Sequence, residues 1–114
     1  MAELEDWPIR VDILIADTRH MTNEQFGAYM RLLCAMWLHG TKIENKPDQL
    51  ARIVGVSRKV WKRLAPVVLK PMTVTPEAVS QQRLTKTWFH ELEYRRRVSR
   101  AGHVAATKRW KNND

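Results

Sequence analysis

A chain of 114 residues is long enough for one compact domain with its own core, so it needs no disulfide or metal to fold. Its one cysteine excludes an intramolecular disulfide and fits a reducing compartment. The net charge of +8 is unevenly divided: residues 1–56 contain 6 Lys/Arg and 8 Asp/Glu (−2), whereas residues 57–114 contain 14 and 4 (+10). This asymmetry favours a polyanion, above all nucleic acid, as the partner of the second half.

The sequence contains no signal for a membrane or for export. No apolar run approaches the ~20 residues that a transmembrane helix needs. The acidic start, Met-Ala-Glu-Leu-Glu-Asp, is unlike the basic start of a signal peptide. We therefore expect a cytoplasmic protein, associated with the nucleoid through DNA, and no membrane partner.

The first half predicts one long core helix. Residues 9–15 fit either a short strand or the start of a helix, because their apolar pattern does not decide between the two. The helix is predicted over residues 22–39: Thr22 and Gln25 form a capping-box pattern, and Gly40 is placed to end it. Apolar side chains recur along it at helical spacing: Phe26, Tyr29, Met30, Leu33, Met36 and Trp37.

A helix-turn-helix is predicted over residues 48–65, after a loop over residues 41–47. The Pro-Asp pair at residues 47–48 suits the first turn of a helix that stops at Gly55. Ser57 can cap the next helix immediately. Two short helices joined by a tight turn that contains glycine are typical of this motif.

The second helix of this motif has a basic and an apolar side. At 100° per residue, an arc of about 140° contains four basic residues: Arg58, Lys59, Lys62 and Arg63. The opposite arc is apolar, with Val60, Trp61 and Leu64. A recognition helix needs this division to dock on the core and present cations to DNA, although a solvated cationic helix would have the same pattern. We predict that Ser57 and the four basic residues contact DNA, with Arg58 reading a base through two hydrogen bonds to guanine. Pro66 is expected to end or kink the helix.

A β-hairpin is predicted over residues 72–83. The segments 72–75 and 79–83 favour strands, and residues 76–78 can turn between them. A hairpin directly after a helix-turn-helix would be the wing of a winged helix, although an ordinary edge hairpin has the same pattern. Arg83, at its end, is included among the predicted DNA contacts.

The last helix is predicted over residues 84–98 and should pack only at its start. Leu84, Trp88 and Leu92 form an apolar stripe whose next position is Arg95, and burying that arginine unpaired would be costly. The extension should therefore project, and end in a tail that is mobile when free. It carries the predicted phosphate contacts Arg95, Arg96, Arg97, Arg100, Lys108 and Arg109, and Trp110 for stacking or groove insertion. The chain is thus divided into a winged-helix-like domain (1–94) and a basic extension with a mobile tail (95–114).

No catalytic, metal or cofactor site is recognisable in the sequence. The four histidines are isolated, and none stands at a zinc-like spacing from the cysteine. The four glycines are too widely separated for a phosphate-binding loop. Cys34, in the core helix, is expected to behave as a small hydrophobic residue. The prediction is a non-enzyme without a cofactor.

A set of short motifs extends along nearly the whole chain. These are Asp12, Ala16-Asp17-Thr18, Met21 to Tyr29 with its Gly27-Ala28-Tyr29, Leu32-Leu33, Trp37, Gly40, Leu50 to Ile53, Trp61, and a closing Gly102, Ala105-Ala106 and Arg109-Trp110. The pattern resembles the YdaU-like family of phage and prophage proteins, whose function is undefined. Longer members resemble the N-terminal winged-helix regions of phage replication-initiation proteins. The resemblance implies a role on a phage, prophage or other mobile element.

The expected fold is mainly α: a winged helix-turn-helix with a small β-hairpin wing and a basic C-terminal helix and tail. The expected function is binding of double-stranded DNA on a mobile element, in replication initiation or transcriptional regulation. The alternative is a winged-helix interaction module that binds a phage replication or regulatory protein. A homodimer would supply the two half-sites that small DNA readers commonly use.

Overall fold

The computed structural model describes the backbone of residues 4–112 and the side chains of residues 4–100. Its elements are α1 (Val11–Thr18), α2 (Asn23–Leu38), β1 (Lys42–Glu44), α3 (Pro47–Val54), α4 (Arg58–Val68), β2 (Thr73–Val74), β3 (Ala78–Ser80) and α5 (Gln82–Asn112). The fold is mainly helical, as predicted. The three strands form a small antiparallel sheet in the order β1-β3-β2. This order of elements is compatible with a winged helix.

Helix α2 forms the centre of the core, and its predicted bounds and cap are confirmed. Gln25 N donates to Thr22 Oγ1 at 3.2 Å and Thr22 N donates to Gln25 Oε1 at 2.9 Å, which completes the capping box. Five large side chains of α2 are buried: Tyr29, Leu32, Leu33, Met36 and Trp37. Cys34, however, is exposed, because it lies on the opposite side of α2 from Leu32 and Met36. Cys34 does lie in the core helix, but the expectation that it packs there as a small hydrophobic residue was wrong.

The predicted helix-turn-helix corresponds to α3 and α4. Gly55 ends α3 with a left-handed φ of 84°, a conformation that glycine adopts without strain. Ser57 Oγ then accepts a hydrogen bond from Val60 N at 3.2 Å and caps α4. Pro66 does not end α4, which continues to Val68. The proline ring lies on the exposed side, and the fully buried Val68 anchors the last turn.

The sheet joins the hairpin to the segment after α2. Strands β2 and β3 confirm the predicted hairpin, but both are shorter than expected, and residues 82 and 83 already belong to α5. Strand β1 lies where a loop was predicted, and its Ile43 is opposite Val79 of β3. Both of these side chains are buried, so the sheet closes one side of the core.

The two outer helices complete the described chain. Residues 9–15, which fitted either a strand or a helix, contribute to α1. Helix α5 packs through Leu84, Trp88 and Leu92, and Trp88 Nε1 donates to the carbonyl oxygen of Trp37 at 3.1 Å. Side chains 93–100 are all exposed. The helix continues to Asn112 instead of ending near residue 98; mobility of the tail in the free protein stays a prediction.

Candidate nucleic-acid interface

The exposed side of α4 presents two lysines. Lys59 and Lys62 are exposed, whereas Trp61, Leu64 and Val68 on the other side of the helix are buried. This is the division that the helical wheel predicts. Within residues 4–100, neither lysine has a carboxylate within 4.0 Å. Their ammonium groups are therefore available to an anionic ligand.

The arginines of α4 are placed differently from the lysines. Arg58 Nε lies 2.9 Å from Asp48 Oδ1 of α3, and Arg63 Nη2 lies 2.5 Å from Glu24 Oε1 of α2. Both pairs are exposed, and exposed ion pairs are weak, since water and salt screen the attraction. The predicted base-reading residue, Arg58, is thus engaged with a neighbouring carboxylate. Sequence reasoning did not identify these two partners, because they come from other helices.

Arg83 lies beside a different group of residues. Its guanidinium pairs with Asp17 of α1, and both residues line a cavity of about 350 Å³ that also contacts Trp7 and Tyr29. Burial raises the pKa of the Tyr29 hydroxyl, and the neighbouring Gln81 amide acts in the opposite direction. This cavity is formed by the N-terminal segment, α1, α2 and the start of α5, whereas α4 contributes no residue to it.

A larger groove, of about 820 Å³, runs along α4. Apolar and basic side chains from α3, α4 and the residue that follows α4 line it, among them Pro47, Leu50, Arg58, Trp61, Lys62, Ala65 and Leu69. The groove was not predicted. A signal was present, because positions 58, 62, 65 and 69 lie on one narrow arc of the helical wheel. That arc is the border between the basic and apolar sides of α4.

The predicted phosphate contacts of α5 are only partly described. Arg95, Arg96, Arg97 and Arg100 are exposed, and Arg97 Nε lies 4.0 Å from Glu93 Oε1, one helical turn earlier. The side chains of Lys108, Arg109 and Trp110 lie outside the described residues. Their backbone continues α5.

The described residues contain neither a cluster of metal ligands nor a membrane-spanning helix. No group of three or more His, Cys, Asp or Glu side chains there is arranged to hold a metal ion. No helix in the same part of the chain combines the length and apolar character needed to cross a bilayer.

Comparisons with known proteins give a family but no function. The model of a family described as "Protein of unknown function (DUF1376)" matches residues 7–88. The matched region contains α1 to α4, the three strands and the start of α5, but not the arginines at 95–100. No curated protein and no solved structure has a significant match to the chain. The chain belongs to the DUF1376 family.

Proposed function

We propose that this protein binds double-stranded DNA through α4 and the basic residues of its second half. The observation that carries the proposal is the pair of exposed lysines, Lys59 and Lys62, on the capped second helix of the α3–α4 motif. Helix α4 is fixed to the core by Trp61 and Leu64, so its exposed side is held at a defined orientation. A rigid cationic helix of this kind fits the major groove and the phosphates beside it.

The hairpin and α5 would extend this contact. The chain order α2, β1, α3, α4 and then the hairpin supports a winged helix in which β2 and β3 form the wing. Ser57 and the arginines of α4 would approach the major groove and the phosphates beside it, and Arg95, Arg96, Arg97 and Arg100 would add phosphate contacts. The resemblance to the YdaU-like family supports a role on a phage, prophage or other mobile element, in replication initiation or transcription.

The proposal is tested by titrating the protein against a labelled DNA duplex at several salt concentrations. Lys59→Ala and Lys62→Ala should each weaken binding and flatten the dependence of log K on log salt by about one unit, because each removes a phosphate contact. Lys42→Ala, in strand β1, is the matched control, since it removes one exposed lysine outside α4. Absence of DNA binding by the wild-type protein, or an equal loss in all three variants, would contradict the proposal.

The groove beside α4 favours a second candidate function, an interaction module for a partner protein. Its apolar floor, with Pro47, Leu50 and Leu69, suits an apolar segment better than a phosphate chain. Binding of such a segment should depend little on salt, whereas DNA binding must weaken steeply as salt rises. Ala65→Trp fills the groove and should abolish partner binding. It should leave DNA binding intact only if the two ligands use separate surfaces.

A further inference from the structure

The two arginines of α4 are each held by a carboxylate from a neighbouring helix. Asp48 lies in the first turn of α3 and contacts Arg58 at 2.9 Å. Glu24 lies in the first turn of α2 and contacts Arg63. The positive end of a helix dipole favours an ionised carboxylate at these positions. Two negative charges therefore lie on the helices that pack against α4, which presents Lys59 and Lys62.

We infer that Asp48 and Glu24 are part of the DNA interface, where they compete with phosphate groups for Arg58 and Arg63 and so limit the affinity for DNA. The inference rests on the proposed function and extends it. Lys59 and Lys62 are then the cations of α4 that contact phosphate directly. The arginines contact DNA only when it displaces a carboxylate that is already in place.

The reason for the competition is electrostatic. A phosphate oxygen and a carboxylate oxygen are equivalent acceptors for a guanidinium, so exchanging one for the other gains little. The displaced carboxylate loses its cation and takes up another from solution. This uptake reduces the net release of counterions on binding, and this release drives non-specific association. Removing the carboxylate charge should therefore strengthen binding to DNA of any sequence.

The test compares the full-length wild-type protein with Asp48→Asn and Glu24→Gln. The probe is a fluorescent duplex of about 20 base pairs and random sequence, titrated at a series of salt concentrations that includes 0.15 M, where the Debye length is about 8 Å. Each variant should bind the duplex about three- to tenfold more tightly than the wild type, with a log K–log salt slope steeper by up to one unit.

Asp12→Asn is the matched control, because the Asp12–Arg10 pair has the same type of geometry outside the α3–α4 motif. Its atoms are 3.0 Å apart, and its side chains are 68% and 74% exposed, against 67% and 69% for Asp48 and Arg58. The substitution changes the net charge by the same amount. Its effect on affinity should stay below about twofold, since screening limits long-range charge effects at this salt concentration.

The same Asp48→Asn substitution made in an Arg58→Ala variant distinguishes release of the arginine from its carboxylate from a general change in net charge. In Arg58→Ala, the gain from Asp48→Asn should largely disappear, because there is no guanidinium left to release. A gain that persists in that background, or an equal gain from Asp12→Asn, would overturn the inference, as would unchanged affinity in both interface variants. If neither the wild type nor any variant binds the duplex, the proposed function itself fails. Circular dichroism melts of each variant verify that the fold is retained.

Discussion

Substitution of Trp37 tests the assignment of α2 as the core helix. The side chain is 2% exposed, and the ring of Trp7 stacks on it with centroids 6.0 Å apart and an interplanar angle of 26°. Trp37→Ala should lower the free energy of unfolding by about 3–5 kcal/mol, because the variant no longer buries the apolar surface of the indole and leaves a cavity in its place. At about 4 °C per kcal/mol for a domain of this size, the melting temperature should fall by roughly 12–20 °C.

Trp37→Phe makes the prediction sharper. The indole Nε1 of Trp37 is buried and has no hydrogen-bond partner in the described part of the chain, and an unpaired buried donor costs about 1–3 kcal/mol. Phenylalanine keeps an aromatic ring against Trp7, but it is smaller than the indole and leaves part of the buried space empty, which costs stability. Removal of the unpaired donor acts in the opposite direction, so Trp37→Phe should change stability by no more than about 1 kcal/mol.

Urea unfolding followed by circular dichroism measures both variants. Tyr94→Ala serves as the control, because Tyr94 is an aromatic residue of α5 that is 55% exposed, and the change should have little effect. A loss below about 1 kcal/mol for Trp37→Ala would show that α2 does not form the core. Equal losses for the alanine and phenylalanine variants would refute the argument about the unpaired indole donor.

Three other measurements test two features of the fold and one feature of the proposed DNA interface. Burial raises the Tyr29 pKa above its ordinary value of 10.0, so the stability that the protonated hydroxyl contributes is present below pH 10 and is lost as the pH rises through the folded-state pKa. Tyr29→Phe should therefore reduce the loss of stability at alkaline pH, which urea titrations from pH 9 to 11 can follow. Trp88→Phe should cost about 0.5–1.5 kcal/mol in urea unfolding through loss of its hydrogen bond to the Trp37 carbonyl. A chain ended after Tyr94 should retain its melting transition but bind DNA more weakly, with a flatter salt slope, because it lacks the arginines that follow; an unchanged slope would exclude α5 from the DNA contact.

Helices α2, α3 and α4 could be predicted because their signals are local, whereas the segment that contains α1 fitted a strand equally well. The capping box at Thr22, the left-handed glycine at 55 and the Ser57 cap each depend on residues within one turn. Strand β1 was missed for the opposite reason. It has three residues, too few for a periodic pattern, and its hydrogen-bonding partner β3 lies more than 30 residues later in the chain.

The candidate site was predictable in its charges but not in its pairings. The basic side of α4 follows from the spacing of its residues, as does its docking through Trp61 and Leu64. The partners of Arg58 and Arg63 depend on how α2 and α3 pack against α4, and no spacing within α4 contains that information. Pro66 shows a similar limit, because burial of Val68 compensates for the hydrogen bond that the proline removes.

The unbroken helical form of α5 restricts how many of its arginines can act together. At 100° per residue, Arg96, Arg97 and Arg100 lie within an arc of about 100°, whereas Arg95 points at least about 100° away from each of them. A straight helix presents one side to a flat or gently curved polyanion, so three of these four side chains can contact the same DNA backbone at once. The contribution of residues 95–100 to the salt slope should therefore be nearer three units than four. Arg95 lies on another side of the helix, so it would add to DNA binding only through contact with a second strand or a second DNA molecule.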